Sequence, residues 1–478
     1  MKTKEQMIEY MQCEISSYGF RDLFDLVISK QNCVNCGACL SICPRIGVEG
    51  NTPILKDYDP ECSLCFKYCT RTFFPRDLFE KEFFKEDVQK DFLLGEFNNI
   101  TAAKSTNNNI LANSQNGGIV TTLLIHALET KLIDGALIAS KDKNWNPKPI
   151  VARTPKEIIE ASGSMYAMIP TLSIYKDVVN KYKIENLGFV GLPCQIQAVR
   201  KFQIWPPLSD KFGKFKLIIG LFCSSNYSFE SMNSLIQNLI GVPFWEIKKL
   251  DVSHGKFIAY LHNGTIKEVS IEDTTNYHYP SCEYCKDYTA EFADISVGSI
   301  GAPGDNWNSV VIRSGVGQML FNDALTQGKI VNSNNIDLLK IKKASRKKKT
   351  QVKDTTDKIY SGLEFLDITK PQVKVYTTLL SLGEADLLML SDVMKLKPEM
   401  IYNLLKTLKQ RKWIYKHQNG YRPINPRQVM KNEIDQYLNQ FKERIDIIKF
   451  KILKDLNTIF IQNNLMSVED LDFMDIIL

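Results

Sequence analysis

The chain has no uncharged apolar run approaching the roughly 18 residues that a membrane-crossing helix needs. Its first residues, MKTKEQMIEYM, are charged from the second position and lack the apolar stretch of a secretory signal. The sequence therefore predicts a cytoplasmic protein with no membrane of its own. A dominant charge of one sign is also missing. The 60 Lys and Arg against 54 Asp and Glu leave a net charge of +6, small for 478 residues, which excludes a polyelectrolyte role for the chain as a whole. What the sequence does have is twelve cysteines. In a compartment that keeps thiols reduced, these argue against a disulfide framework and for metal ligation.

The length allows two to four domains, and the pattern divides accordingly. Residues 1–30 read as a polar helical lead-in, and 31–88 as a small cysteine-rich, ferredoxin-like module. Residues 89–340 alternate β-rich runs, such as DGALIAS at 134–140 and KLIIGLFC at 216–223, with helical stretches. That alternation predicts an α/β core with a mainly parallel sheet. Residues 341–362 crowd Lys342, Lys343, Arg346, Lys347, Lys348 and Lys349 together with little apolar content, and read as a solvated basic linker. Residues 363–427 read as three short helices and a hairpin centred on Asn419-Gly420. In 428–478, Ile434, Leu438, Phe441, Ile445, Ile448, Ile452 and Ile459 recur at steps of three and four. This is the seam of a coiled coil, hence of a homodimer, or the packed face of an amphipathic helix.

Cys33-x2-Cys36-x2-Cys39-x3-Cys43-Pro44 is the spacing that lets three thiolates grip one iron–sulfur cubane while the fourth reaches a neighbour. Cys62-x2-Cys65-x3-Cys69 repeats the last three positions, with Asp59 where a cysteine would stand. One cluster would take Cys33, Cys36, Cys39 and Cys69. The other would take Cys43, Cys62 and Cys65, completed by Asp59, by Cys13, or left as a 3Fe-4S centre. A decayed half without a cluster is the alternative. Cys194, Cys223, Cys282 and Cys285 remain. Two of these end predicted strands, and the carboxyl ends of strands in an open α/β sheet share one side, so the four can meet around a third 4Fe-4S cluster. Single buried core cysteines are the competing reading.

The stretches NGGIVTTLLIHALETKLIDGALI (116–138), GSMY (163–166), FVGLPCQIQAVRKF (189–202), IGLFC (219–223), HGKF (254–257) and CEYCKDYTAEFADISVGSIGAP (282–303) resemble the coenzyme F-420 hydrogenase/dehydrogenase beta-subunit family. The resemblance spans roughly residues 31–330. It implies that Cys194, Cys223, Cys282 and Cys285 ligate a core cluster, and that FAD lies beside it. The turn Asn116-Gly117-Gly118, followed by Thr121, is the candidate flavin contact, because helix N-termini hold pyrophosphates. Met165 stands where the family carries a lysine. The implied function is an oxidoreductase passing electrons between ferredoxin, or a hydrogenase or dehydrogenase subunit, and a hydride acceptor, coenzyme F-420. His254 and Lys256 are candidates to face the flavin or the acceptor.

Residues 363–430 resemble the winged helix of sugar-responsive TrmB-type regulators. The helix from Pro398 would be the recognition helix. Lys397, Asn403, Lys406 and, on the wing, Arg422 would meet DNA, with Lys395, Lys409, Arg411 and Lys412 near them. The second function this implies is a redox-responsive transcriptional regulator.

Overall fold

The computed structural model describes residues 18–57, 62–84, 87–142, 144–205, 212–351, 355–417 and 420–462. The chain forms two compact units that divide between Gln351 and Val352.

The first unit is organised by an eight-stranded sheet. In chain order its strands are β1 (Asn99–Ser105), β2 (Gly135–Lys141), β3 (Pro147–Ala152), β4 (Asn186–Gly191), β5 (Lys214–Leu221), β6 (Ile295–Gly298), β7 (Asn308–Ile312) and β8 (Ile330–Ser333). Their spatial order is β8-β1-β7-β6-β5-β4-β2-β3. Only the central β6, β5, β4 and β2 run parallel, and both flanks are antiparallel. This corrects the expectation of a mainly parallel sheet. β2–β3 and β6–β7 are joined by short connections that only antiparallel neighbours permit, and apolar runs such as those of β6 and β7 read the same in either direction. Helix α1 (Ile119–Glu129) packs on the sheet through Ile119, Leu123 and Leu124, all buried. Helix α2 (Pro193–Ile204) follows β4 directly. A separate three-stranded meander is built from 247–253, 256–261 and 266–270.

The cysteine-rich module shares a core with this sheet. Leu23, Val27, Tyr68 and Phe79 belong to the same buried apolar cluster as Phe202, Phe215 and Phe292, and the Tyr68 hydroxyl donates to the Trp205 carbonyl at 2.6 Å. The described part of the expected polar lead-in is a helical turn whose Leu23 and Val27 are buried in that core, so it belongs to the module.

The basic segment is not a solvated linker over its first half. It forms helix α3 (Leu338–Lys349), with Ile341, Ser345, Lys348 and Lys349 buried. Lys342 pairs with Asp91 at 2.5 Å, the Ser345 hydroxyl donates to the Leu93 carbonyl, and Lys349 pairs with Glu291 at 2.7 Å. Buried cations need partners, and these lie far away in sequence.

The second unit has helices α4 (Lys370–Leu382), α5 (Leu387–Met394) and α6 (Pro398–Gln410). An antiparallel hairpin, Ile414–His417 with Gly420–Pro423, follows. Asn419, the expected turn centre, lies outside the described residues. Helix α7 (Pro426–Ile447) continues through a π-turn, Ile448–Ile452, into Leu453–Gln462. Buried Glu433 anchors its start by accepting from Trp413 Nε1 at 2.7 Å and Arg411 Nη2 at 2.6 Å. The expected seam residues Ile434, Leu438, Phe441, Ile445, Ile448, Ile452 and Ile459 are exposed within one chain.

Candidate functional site

Eleven cysteines fall in the described residues and none is bridged to another. They gather in three sets, each defined by which sulfurs feel one another electrostatically. The first is Cys33, Cys36, Cys39 and Cys69. The second is Cys43, Cys62 and Cys65, with Cys69 near Cys65. The third is Cys194, Cys223, Cys282 and Cys285. Asp59 and Cys13, the candidates to complete the second set, lie outside the described residues.

Local chain geometry explains the first set. Gly37 sits at φ +86° and caps the short helix Ala38–Ile42. A Cβ at this position would come within 2.5 Å of the Ser173 amide nitrogen and 2.8 Å of the Pro170 carbonyl. Its glycine is thus required both by the left-handed turn and by the close approach of the core's backbone. The Leu172 amide donates to the Cys36 carbonyl at 3.0 Å in the same contact. Amides of Asn35 and Arg71 donate toward the sulfurs of Cys33 and Cys69 at 3.5 and 3.4 Å.

Burial is the largest influence on Cys33, Cys36, Cys39, Cys65, Cys69, Cys194, Cys223 and Cys282. It pushes Cys33 up to about 11 and Cys36, Cys65 and Cys223 up to about 12, with Cys39 and Cys194 also well above the ordinary thiol range. Such thiols lose their protons to a metal far more readily than to water, since metal ligation supplies the positive charge that burial withholds. A cubane takes one thiolate at each of its four iron corners, and the first and third sets each bring four cysteine sulfurs together. A further fit lies in Arg71. Its Nη2 donates to the Ser281 carbonyl at 3.0 Å, while its Nε is buried without an acceptor among the described residues. Its charge acts on Cys33 and Cys69 of the first set and on Cys194 and Cys282 of the third. Tyr279 likewise feels Cys33 and Cys36 on one side and Cys282 and Cys194 on the other.

The three sets therefore have an order. Cys65 and Cys69 link the second set to the first, and Arg71 and Tyr279 stand between the first and the third. The third set reaches a cavity of about 360 Å³ whose lining includes Cys223. That volume is in the range of small-molecule sites. Asn116, Gly118 and Thr121 line it, as do Met165 and Tyr166. Gly118, at φ +69°, caps α1. Gly117 does not line the cavity. Its missing Cβ lets the turn press against β1 and β7, since a Cβ there would come within 2.9 Å of the Ala103 carbonyl and the Asn308 amide nitrogen. The Asn308 side-chain oxygen takes the Ile119 amide of α1 at 3.3 Å, so one of the helix's free donors is already used. Gln115, Ser225, Asn226 and Tyr288 also line the cavity; no local signal in the sequence distinguishes them. His254 and Lys256 do not. Both are exposed at the tip of the meander's first hairpin, where Lys256 pairs with Glu268.

In the second unit, Lys397, Asn403 and Lys406 are exposed on or beside α6, together with Lys395 and Lys409. Arg422 is paired with Glu384 at 2.7 Å, and Arg411 is spent on Glu433 and the carbonyls of Leu366 and Asp367. Neither is presented as an open phosphate contact. Among the described residues no helix is long and apolar enough to cross a membrane.

Comparison with known proteins matches residues 100–176 to the family model for the N-terminal part of the coenzyme F-420 hydrogenase/dehydrogenase beta subunit, and 184–337 to the model for the C-terminal part. Residues 363–428 match the sugar-specific transcriptional regulator TrmB. The chain is 38% identical to the coenzyme F-420 hydrogenase subunit beta of Methanococcus voltae, over 52% of this chain and 87% of that one. It is 29% identical to the coenzyme F-420-dependent sulfite reductase of Methanocaldococcus jannaschii, over 68% of this chain and 50% of the relative. Among solved structures, a chain of the F-420-reducing [NiFe] hydrogenase complex of Methanosarcina barkeri superposes with a TM-score of 0.53 at 35% identity, covering 54% of this chain and 91% of that one.

Proposed function

This chain belongs to the coenzyme F-420 hydrogenase/dehydrogenase beta-subunit family and carries a C-terminal TrmB domain, and on that premise we propose that it passes electrons between a one-electron donor and coenzyme F-420. Bound iron–sulfur clusters would supply one-electron transfer, and a bound FAD would convert between single electrons and hydride. The observation that carries the reading is the double place of Cys223, which belongs to the third cysteine set and also lines the cavity.

The residues have distinct tasks. Cys43, Cys62 and Cys65 hold the entry cluster, with a fourth ligand from Asp59 or Cys13 or a 3Fe-4S centre in its place. Cys33, Cys36, Cys39 and Cys69 hold the next, and Cys194, Cys223, Cys282 and Cys285 the last. Asn116, Gly118 and Thr121 shape the flavin's end of the cavity, and Met165 leaves its wall without a cation. The donor is ferredoxin or a hydrogenase or dehydrogenase subunit, by analogy with relatives named as subunits.

The test is anaerobic. Protein reconstituted with iron, sulfide and FAD should bleach the coenzyme F-420 absorbance band when given reduced ferredoxin. Omitting FAD or replacing Cys282 by alanine should abolish this. Assembly of clusters and flavin without any reduction of the coenzyme would sink the assignment of the acceptor.

The TrmB match and the exposed Lys397, Asn403 and Lys406 favour a second activity in the C-terminal unit, DNA binding through α6 by a dimer joined along the seam of α7. Linked to the redox core, it would make the protein a redox-responsive regulator as well.

A further inference from the structure

Helix α3 buries two consecutive lysines, and their surroundings differ. Lys349 has a carboxylate, Glu291, at 2.7 Å, and also donates to the Phe92 carbonyl at 2.5 Å. Lys348 is 3% exposed and pairs with no carboxylate among the described residues. Its Nζ donates to the main-chain carbonyl of Cys223 at 2.6 Å, and its charge acts on Cys194, Cys223, Cys282 and Cys285 alike. A buried ammonium with only a carbonyl for a partner is costly. The cost is offset where the site it faces becomes anionic, as four thiolates around a cluster make it.

We infer that Lys348 is the built-in counter-charge of the cluster held by Cys194, Cys223, Cys282 and Cys285, a positioning residue that raises that cluster's reduction potential. The inference rests on the cluster assignment proposed above. On reduction one electron enters the cluster from the donor, and the site becomes more negative by one charge. Lys348 keeps its proton, and no bond forms or breaks. A fixed cation inside a medium of low effective dielectric favours the more negative state. Arg71 also reaches Cys194 and Cys282, and Lys286 reaches Cys285, but Lys348 acts on all four sulfurs. Because coupling is reciprocal, reduction must also tighten the hold of the cluster site on the last turn of α3.

The experiment uses the full chain, reconstituted anaerobically with iron and sulfide and titrated with dithionite while electron paramagnetic resonance follows each cluster. The component absent from Cys282→Ala is that of the third set. In Lys348→Met its reduction equilibrium should fall at least tenfold, which is about 59 mV for a one-electron couple. Lys348→Arg should recover most of the shift. Lys349→Met, which removes the neighbouring charge from Glu291, should leave that component where it was. If Lys348→Met loads no cluster, Lys348→Gln keeps a donor for the Cys223 carbonyl without the charge and carries the same expectation. An unmoved midpoint at unchanged iron and sulfide content overturns the inference. Wild-type protein with no Cys282-dependent iron overturns the cluster assignment itself, and iron analysis separates that failure from the other before any titration.

Discussion

Arg71 of the cysteine-rich module donates from Nη2 to the main-chain carbonyl of Ser281 at 3.0 Å, one residue before Cys282. The same residue's amide donates to Cys69 Sγ. One residue, through its amide and its guanidinium, thus ties the cysteine loop of the first set to that of the third. In Arg71→Met, electrons delivered to the module should reach the core more slowly, at unchanged iron content in both. Rapid-mixing reduction followed by freeze-quench spectroscopy measures this. Loss of a hydrogen bond from a charged donor should also cost about 1.5–3 kcal/mol of stability. Equal transfer rates in variant and wild type would remove Arg71 from the route.

Gly37→Ala should undock the module. A side chain at φ +86° costs about 1–2 kcal/mol from backbone strain alone, and its Cβ would strike the Ser173 amide. The expected outcome is a lower denaturation midpoint, together with loss of iron from the first set before the third.

Lys141 gives a pH dependence away from the cysteines. Burial lowers its ammonium to about 7, against about 10.4 in an unfolded chain. Between those values the unfolded state holds a proton that the folded state has released, so stability should rise with pH from about 7 to about 10. Denaturant melts at steps across that window should show the rise, and Lys141→Met should flatten it.

For the C-terminal unit, Lys406→Ala should weaken DNA binding about equally on all sequences and reduce the salt slope by about one, as expected for a single phosphate contact. Asn403→Ala should instead relax sequence preference. Binding curves at several salt concentrations distinguish the two, and an unaltered slope for Lys406 would take that residue off the interface.

The cysteine spacings, the glycine turn before α1, the three helices of the second unit and its hairpin could all be read along the sequence. Each is a local pattern with a local cause. Three things could not. The sheet's mixed direction was hidden because buried strands such as Ile295–Gly298 and Asn308–Ile312 carry no polar face to betray their neighbours. The work of Gly37 and Gly117 depends on backbone that arrives from Pro170–Ser173 and from β1 and β7. The basic run at 342–349 has the composition of a solvated tether, and only Asp91, Glu291 and the Cys223 carbonyl, each brought from elsewhere, turn it into a buried helix.

Glu291 is fully buried between Arg76 and Lys349, and though burial alone would raise its carboxyl, the two cations hold it down at about 2. One carboxylate therefore closes a circuit between the start, middle and end of the first unit. A fragment cut at residue 337, where the beta-subunit match ends, would strand Glu291 with one partner and leave Cys223 without Lys348. The segment that could be exchanged between proteins as a working whole is thus longer than the segment that similarity recognises, and its true edge is the last turn of α3.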